Sequence, residues 1–376
     1  MNSSNEKEQT KVLIVGVSLD NEDKNSIDEL ASLVYTAGGF VIGKVTQNRA
    51  EVNAEFFIGS GKVNEIKEFI YQNKADLIVF NNQLSGRQIK NLVDALDISV
   101  IDRNMLILDI FAMRAQSQEG KIQVELAQLN YSLPRLVGQG KLMDRQEAAI
   151  GTRGPGETKL EMDRRVIRRK ITEKRREIEK LSKQREERRK RRMQSEKNVA
   201  IVGYTNAGKS TLMNFFTKAG VDVEDKLFAT LDTTTRKVFY EIGKKYTITD
   251  TVGFISDLPH EFIDAFKSTL EEAKYADLLL HVVDITSKQV ENDIHVVKNV
   301  LEELMASNKP VIIVFNKIDS LQEYYKDNDL VWEKLYEKAG GIQCSEIVCI
   351  SAKTGEGIDA LKQAIAEKLW GKPDCA

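Results

Sequence analysis

Cysteine and histidine are scarce in this 376-residue chain, which has three of each. Cys344, Cys349 and Cys375 show no metal-ligand spacing, which argues against a zinc or cluster protein and fits a reducing compartment. Cys349 falls in the apolar run Ile347–Ile350 and reads as a packing residue. The histidines are scattered, and His281, inside Leu278–Asp284, reads as a packed strand residue rather than a catalyst. No apolar run approaches the length of a membrane span, and the polar start Met1–Thr10 lacks the features of a secretory signal. A cytoplasmic protein without a membrane span is therefore expected. Hydrophobic content of 41% and charged content of 30% suit a globular chain, and its length predicts two or three domains.

Net charge is only −2, yet it is unevenly spread. Residues 161–197 carry 17 Lys/Arg against 8 Asp/Glu, leaving 38 against 49 in the rest of the chain. Such asymmetry points to an anionic partner, nucleic acid above all, for the basic segment. A solvated helix laced with i,i+4 ion pairs is the plainer reading.

Residues 203–210, Gly203-Tyr204-Thr205-Asn206-Ala207-Gly208-Lys209-Ser210, match G-x-x-x-x-G-K-[ST]. The apolar run Val199–Val202 precedes them and the helix-like run Thr211–Phe216 follows, the strand–loop–helix context of a phosphate-binding loop. Its glycines let backbone N–H groups turn around a β-phosphate. Lys209 can reach the β- and γ-phosphates, and Ser210 can coordinate Mg²⁺. Asp250-Thr251-Val252-Gly253 ends the run Tyr246–Thr249, placing at a strand tip a carboxylate for water-mediated Mg²⁺ binding and a glycine N–H for the γ-phosphate. Asn316-Lys317-Ile318-Asp319 follows Val311–Phe315, and the Asp319 carboxylate can accept both N1–H and N2–H₂ of guanine, a donor pair that adenine lacks. Ser351-Ala352-Lys353 follows Ile347–Ile350 and offers backbone amides to guanine O6. Four motifs in this order specify a guanine nucleotide (GTP/GDP) site in a P-loop GTPase.

Between the loop and Asp250 lies Leu227-Phe228-Ala229-Thr230-Leu231-Asp232-Thr233-Thr234-Thr235-Arg236, a hydroxyl-rich switch. One threonine must complete the Mg²⁺ shell beside the γ-phosphate. Thr230 is favoured, with Thr233, Thr234 and Thr235 as rivals. Lys209, Thr230 and Gly253 are the expected catalytic set. Where many GTPases place a water-orienting glutamine, after Gly253, this chain has Phe254. A phenyl ring cannot hydrogen-bond water, so intrinsic hydrolysis is expected to be slow and completed by another part of the chain or by a partner.

Residues 11–116 alternate strand-like runs (Val12–Val17, Gly39–Val45, Asp76–Phe80, Ile98–Asp102) with helical patterns (Ile27–Ala37, Val63–Tyr71, Gly86–Leu96), predicting a parallel sheet covered by helices. Ile58-Gly59-Ser60-Gly61-Lys62 is a poor match to a second phosphate loop. Ile122, Leu126, Leu129, Leu133 and Leu136 form a coiled-coil-like stripe that Pro134 should kink or end. Leu160, Ile167, Ile171, Ile178 and Leu181 mark a mate starting near Glu157, giving an antiparallel hairpin or two helices packed on the first domain. The connection Val137–Gly156, rich in glycine and carrying Lys141, Arg145 and Arg153, suits insertion into folded RNA. The expected architecture is thus an N-terminal parallel α/β domain (1–116) with a basic antiparallel helical hairpin (117–197), followed by a P-loop GTPase domain (198–371) and a short tail (372–376).

With these residues in view the chain resembles the HflX-type GTPases of the Obg–HflX group. The likeness rests on Val100-Ile101-Asp102-Arg103, Ile107–Ala112, Glu119–Ala127, Arg153-Gly154-Pro155-Gly156-Glu157-Thr158 and Phe228–Asp232. It implies a factor that binds the large ribosomal subunit, sets its hairpin loop near the peptidyl transferase centre, and splits stalled or idle ribosomes under stress. It also implies ribosome-stimulated hydrolysis with a hydrophobic residue after D-x-x-G, and Ser210 and Thr230 as Mg²⁺ ligands. Thr233 stands where relatives often have proline, and the chain stops just past the GTPase fold, where some relatives continue. A monomer is expected off the ribosome. Two other readings are a GTP-dependent switch recruiting a protein partner through the stalk, and an added ATP-dependent RNA-remodelling activity of the N-terminal domain.

Overall fold

The computed structural model describes residues 9–19, 26–136, 155–193, 196–217, 227–228, 230–231, 233–241, 243–256, 270–321 and 346–371. Two compact units emerge, Met1–Met113 with Lys121–Ile178, and Arg114–Gly120 with Glu179–Ala376.

In the first unit, β1 (Lys11–Ser18), β2 (Phe40–Asn48), β3 (Leu77–Phe80) and β4 (Ser99–Asp102) make a parallel sheet in the order β2-β1-β3-β4. The helices are α1 (Ser26–Thr36), α2 (Ser60–Asn73), α3 (Gly86–Leu96) and α4 (Arg103–Arg114). Continuous apolar runs such as Val12–Val15 are buried because helices cover a parallel sheet. Leu13, Val15, Ile66, Ile78, Phe80 and Leu92 belong to one core cluster. Ser85 caps α3 through a capping box with Gln88. Ile58–Lys62 forms no phosphate cradle: Gly59 precedes α2 without a strand before it, its N–H donates to Gln47 Oε1 at 3.0 Å, and Lys62 is paired with Glu65 at 2.6 Å.

Helix α5 (Gln118–Arg135) carries the predicted stripe, with Pro134 inside its last turn rather than beyond it. Ile122 and Leu126 are buried, but so are Gln123, Val124, Ala127 and Tyr131, so α5 hides two faces instead of one seam. Tyr131 Oη donates to Asp102, which also accepts from Leu84 N and Met105 N at 3.0 Å each and meets Arg135 at 3.4 Å. This network ties α5 to the end of β4. Helix α6 runs from Pro155 to Met193, so Pro155 and Gly156, expected in the connection, belong to the helix. Proline is at home in a first turn, where its missing N–H costs nothing. Lys174 pairs with Glu125 at 2.9 Å and Arg185 pairs with Glu119, contacts that run in opposite directions along α5 and α6. Among the described side chains of α6, Ile171 is the buried apolar one, whereas Arg165, Arg168, Arg169, Arg175, Arg176 and Lys180 are exposed. Lys141, Arg145 and Arg153 lie outside the described residues.

The second unit holds a six-stranded sheet, β10-β9-β8-β5-β7-β6. Its strands are β5 (Lys197–Gly203), β6 (Thr234–Glu241), β7 (Lys244–Asp250), β8 (Leu278–Asp284), β9 (Val311–Asn316) and β10 (Glu346–Cys349), with only the edge strand β6 antiparallel. Helices α7 (Lys209–Thr217), α8 (Val290–Glu303) and α9 (Ile358–Trp370) accompany it. Ile201, Leu280, Ile312, Leu361 and Ile365 lie in its core. His281 is buried in β8, as its strand context predicts, and Cys349 is half-buried in β10. No helix among the described residues is long and apolar enough to cross a membrane.

Candidate guanine nucleotide site

The parallel order places β5, β7, β8 and β9 side by side, so their C-terminal ends converge. Ligands bind at this edge in open α/β sheets. From β5 the chain turns through residues 203–208 into α7. Asn206 takes a left-handed φ of 61° and Gly208 a φ of 93°, and a Cβ on Gly208 would sit 2.2 Å from Asn316 Nδ2. Only glycine fits that turn.

Lys209 is buried, and its Nζ donates to the Tyr204 carbonyl at 2.7 Å. Burial lowers its pKa to about 8, against the opposing pull of the Asp250 carboxylate. Burial likewise raises Asp250, opposed by Lys209 and by hydrogen bonds from Ser210, Thr230 and Thr251. Ser210 Oγ and Thr230 Oγ1 both donate to Asp250 Oδ2, at 2.9 and 3.0 Å, and stand 2.7 Å apart. The other carboxylate oxygen, Oδ1, is buried without a hydrogen-bond partner among the described residues. Two hydroxyls gathered on a half-satisfied buried carboxylate form a hard oxygen donor set that fits Mg²⁺. Of the rival threonines, Thr234 and Thr235 are taken into β6, where Thr235 Oγ1 meets Thr249 Oγ1 at 3.0 Å. Phe228 and Leu231 are buried on either side of this segment, Phe228 at a φ of 54°. Ala229 and Asp232 lie outside the described residues.

Thr251 and Val252 are buried behind the site, with Thr251 Oγ1 donating to Ile201 O at 2.7 Å. Gly253 is wedged so closely that a Cβ there would lie 2.9 Å from Lys209 Nζ and 3.0 Å from Thr205 Cα. Phe254 is 2% exposed. Ala207 is buried, and Thr211 follows Ser210 in the first turn of α7. On the base side, Asn316 Nδ2 donates to Ala207 O at 2.8 Å while its Oδ1 accepts from Ala352 N at 2.9 Å, stitching the phosphate loop to the Ser351–Lys353 turn. Ser351 Oγ donates to Asp319 Oδ1 at 2.7 Å. Ile318 and Asp319 open a short 3-10 turn, and Lys353 is exposed. Lys317, at a left-handed φ of 71°, pairs with Asp284 at 2.6 Å.

Three contributors escaped the sequence reading. Asp284 ends β8 opposite Asn316 in register, and a carboxylate closing an apolar strand was the available signal. Ser256 and Asn292, which join Tyr204 in a hydrogen-bonded group, carry no local signal because 52 and 36 residues separate the partners.

A phosphate loop, a carboxylate strand tip and a guanine-directed aspartate on one sheet edge define a P-loop GTPase. The family described as 50S ribosome-binding GTPase matches residues 198–317, and those described as GTP-binding GTPase N-terminal and Middle Region match residues 24–112 and 114–192. The chain belongs to the HflX family of GTPases, which hydrolyse GTP. It is 49% identical over 365 residues to the GTPase HflX of Caldanaerobacter subterraneus subsp. tengcongensis, covering 97% of this chain and 82% of that one. It is also 49% identical over 359 residues to the GTPase HflX of Lacrimispora saccharolytica, covering 94% and 81%. Among solved structures, the SsGBP–GDP complex is similar with a TM-score of 0.53 and 28% identity, over 95% of this chain and 98% of that one.

Proposed function

We propose that this chain is a Mg²⁺-dependent GTPase that acts in the cytoplasm on the large ribosomal subunit and splits stalled or idle ribosomes. Phe254 carries the reading: it is buried at the position from which water would be oriented, so this side chain can supply no polar contact to the attacking water. Another part of the chain or a partner must then complete the site. The exposed basic face of α6 suits an anionic partner such as rRNA, and the 50S ribosome-binding description of the matching family supports the ribosome as that partner. Lys141, Arg145 and Arg153 are the proposed RNA contacts of the hairpin connection.

Within the site, amides of residues 206–210 hold the β-phosphate, Lys209 reaches the β- and γ-phosphates, and the Gly253 amide meets the γ-phosphate. Asp319 reads the guanine N1–H and N2–H₂ while Ser351 fixes the carboxylate's orientation. Mg²⁺ would be held by Ser210 and Thr230 with Asp250 behind them, and when bound it supplies positive charge to the phosphate oxygens. GTP orders the switch and favours the ribosome-bound form, and hydrolysis releases it.

The test is GTP turnover with and without purified large subunits at several stated salt concentrations. Strong stimulation that falls as salt rises is expected. Unstimulated turnover despite sound GTP binding would favour a switch that recruits a protein partner instead.

A further inference from the structure

Tyr204 is the one aromatic residue of the phosphate loop, and its side chain leaves the loop altogether. Its hydroxyl stands 2.8 Å from Ser256 Oγ and accepts the Ser256 N–H at 2.8 Å. Asn292, near the start of α8, donates to the same Ser256 Oγ at 3.3 Å. Between these points the main chain is zipped to the loop: Phe254 N donates to Gly203 O at 3.1 Å, and Thr205 N donates to Phe254 O at 2.7 Å. The pair Tyr204–Phe254 forms an isolated parallel bridge. Both Phe254 and Ile255 are buried. Gly253 is thereby fixed one residue upstream of a clamp, against Lys209 Nζ and Thr205.

We infer that Tyr204 is a positioning residue for the γ-phosphate: its hydroxyl latches Ser256 and so holds the Gly253 amide where GTP, but not GDP, would use it. A hinge held at both ends loses less conformational entropy when the γ-phosphate arrives. Freed of the hydroxyl, Ser256 loses this anchor and Gly253 is held through the Phe254 bridge alone, so part of its ordering must come from the nucleotide itself. That cost falls on GTP alone if the Gly253 amide meets the γ-phosphate, which GDP lacks. The inference rests on the reading of this site as the nucleotide site and adds a determinant of its preference for the triphosphate.

The test uses the full chain with Tyr204→Phe, Ser256→Ala, Ser256→Thr and the Tyr204→Phe/Ser256→Ala pair. Affinities for GDP and for a non-hydrolysable GTP analogue are measured by fluorescent-nucleotide competition. Tyr204→Phe keeps the ring and its packing, so the fold is spared. It is expected to weaken the analogue about five- to tenfold, the scale of one to two lost hydrogen bonds, with GDP changed less than about twofold. Ser256→Thr should retain the preference, and the loss in the pair should fall short of the sum of the single losses, since the contact between the two hydroxyls is common to both changes. Equal weakening of both nucleotides, no change in either, or additive losses in the pair would overturn the latch. Failure of the unsubstituted chain to bind either nucleotide would instead overturn the site assignment.

Discussion

Replacing His281 by leucine should flatten the acid limb of stability in the second unit. His281 sits inside β8, beside Val202 of β5 and Ile313 of β9. Burial, reinforced by the Lys209 charge, lowers its pKa to about 4 from 6.5. The unfolded chain therefore takes up the proton first as pH falls. The stability conferred by the neutral ring is fully present above pH 6.5 and is lost between 6.5 and 4. Two and a half pH units correspond to about 3 kcal/mol in full, of which about 2 kcal/mol is lost between pH 7 and pH 5. Leucine at 281 cannot titrate, so the difference between variant and parent isolates this group from every other carboxylate and imidazole. Urea unfolding followed by tryptophan fluorescence reads the right unit, because Trp370 belongs to it and packs edge-on to Tyr246 at 6.2 Å. The parent should lose about 2 kcal/mol more than His281→Leu between pH 7 and pH 5. Parallel losses in the two proteins would show that His281 is not held neutral by burial and would refute the reasoning.

Further outcomes follow from the same geometry. Thr230→Ala should weaken Mg²⁺-dependent binding of a GTP analogue at least about tenfold, as the loss of a charge-assisted contact would, while Thr235→Ala leaves it within about twofold; Mg²⁺ titrations of analogue binding decide between them, and the reverse ranking would move the ligand into β6. Asp319→Asn should cost guanine nucleotides on the order of 100-fold in affinity, the scale of two bonds to a charged acceptor, and should favour xanthine, whose 2-oxo group meets an amide donor. Competition between GDP and XDP reads that exchange, and unchanged GDP binding would remove Asp319 from the base site. Asp102→Ala should destabilise the first unit by about 3–5 kcal/mol, because it leaves the buried Tyr131 hydroxyl and the Leu84 and Met105 amides without their acceptor, at about 1–3 kcal/mol for each stranded group. Hydrogen exchange should then rise in β4 and α5 while nucleotide affinity stays put; unchanged protection there would show that the network is not structural.

What could be read in the sequence was whatever is contiguous. The phosphate loop, the D-x-x-G tip and the base-reading motifs each complete their logic within a few residues of a strand end, so local pattern sufficed. The strands of the first unit were legible for the same reason, since a buried parallel strand is an unbroken apolar run. Thr230 could only be favoured among the hydroxyls, because the choice depends on where β6 starts pairing with β7. Helix α5 showed one stripe because apolar periodicity counts Leu and Ile, whereas its second buried face includes Gln123 and Tyr131, a polar side chain and one bonded to Asp102. The start of α6 at Pro155 was masked by glycines on both sides that suggested a loop. The Tyr204–Ser256–Asn292 group was invisible, since it brings three distant segments together without a motif in any of them.

Thr234 is fastened opposite Asp250 in the β6–β7 ladder, four residues beyond Thr230. A tether of that length spans at most about 14 Å even when fully extended. Thr230 thus works on a short leash: once released by its partners it can sweep only a small dome centred on the first residue of the edge strand. Any surface that senses the nucleotide through this threonine must dock inside that dome. A longer stroke would have to peel β6 from β7, trading a loop motion for the loss of a sheet edge.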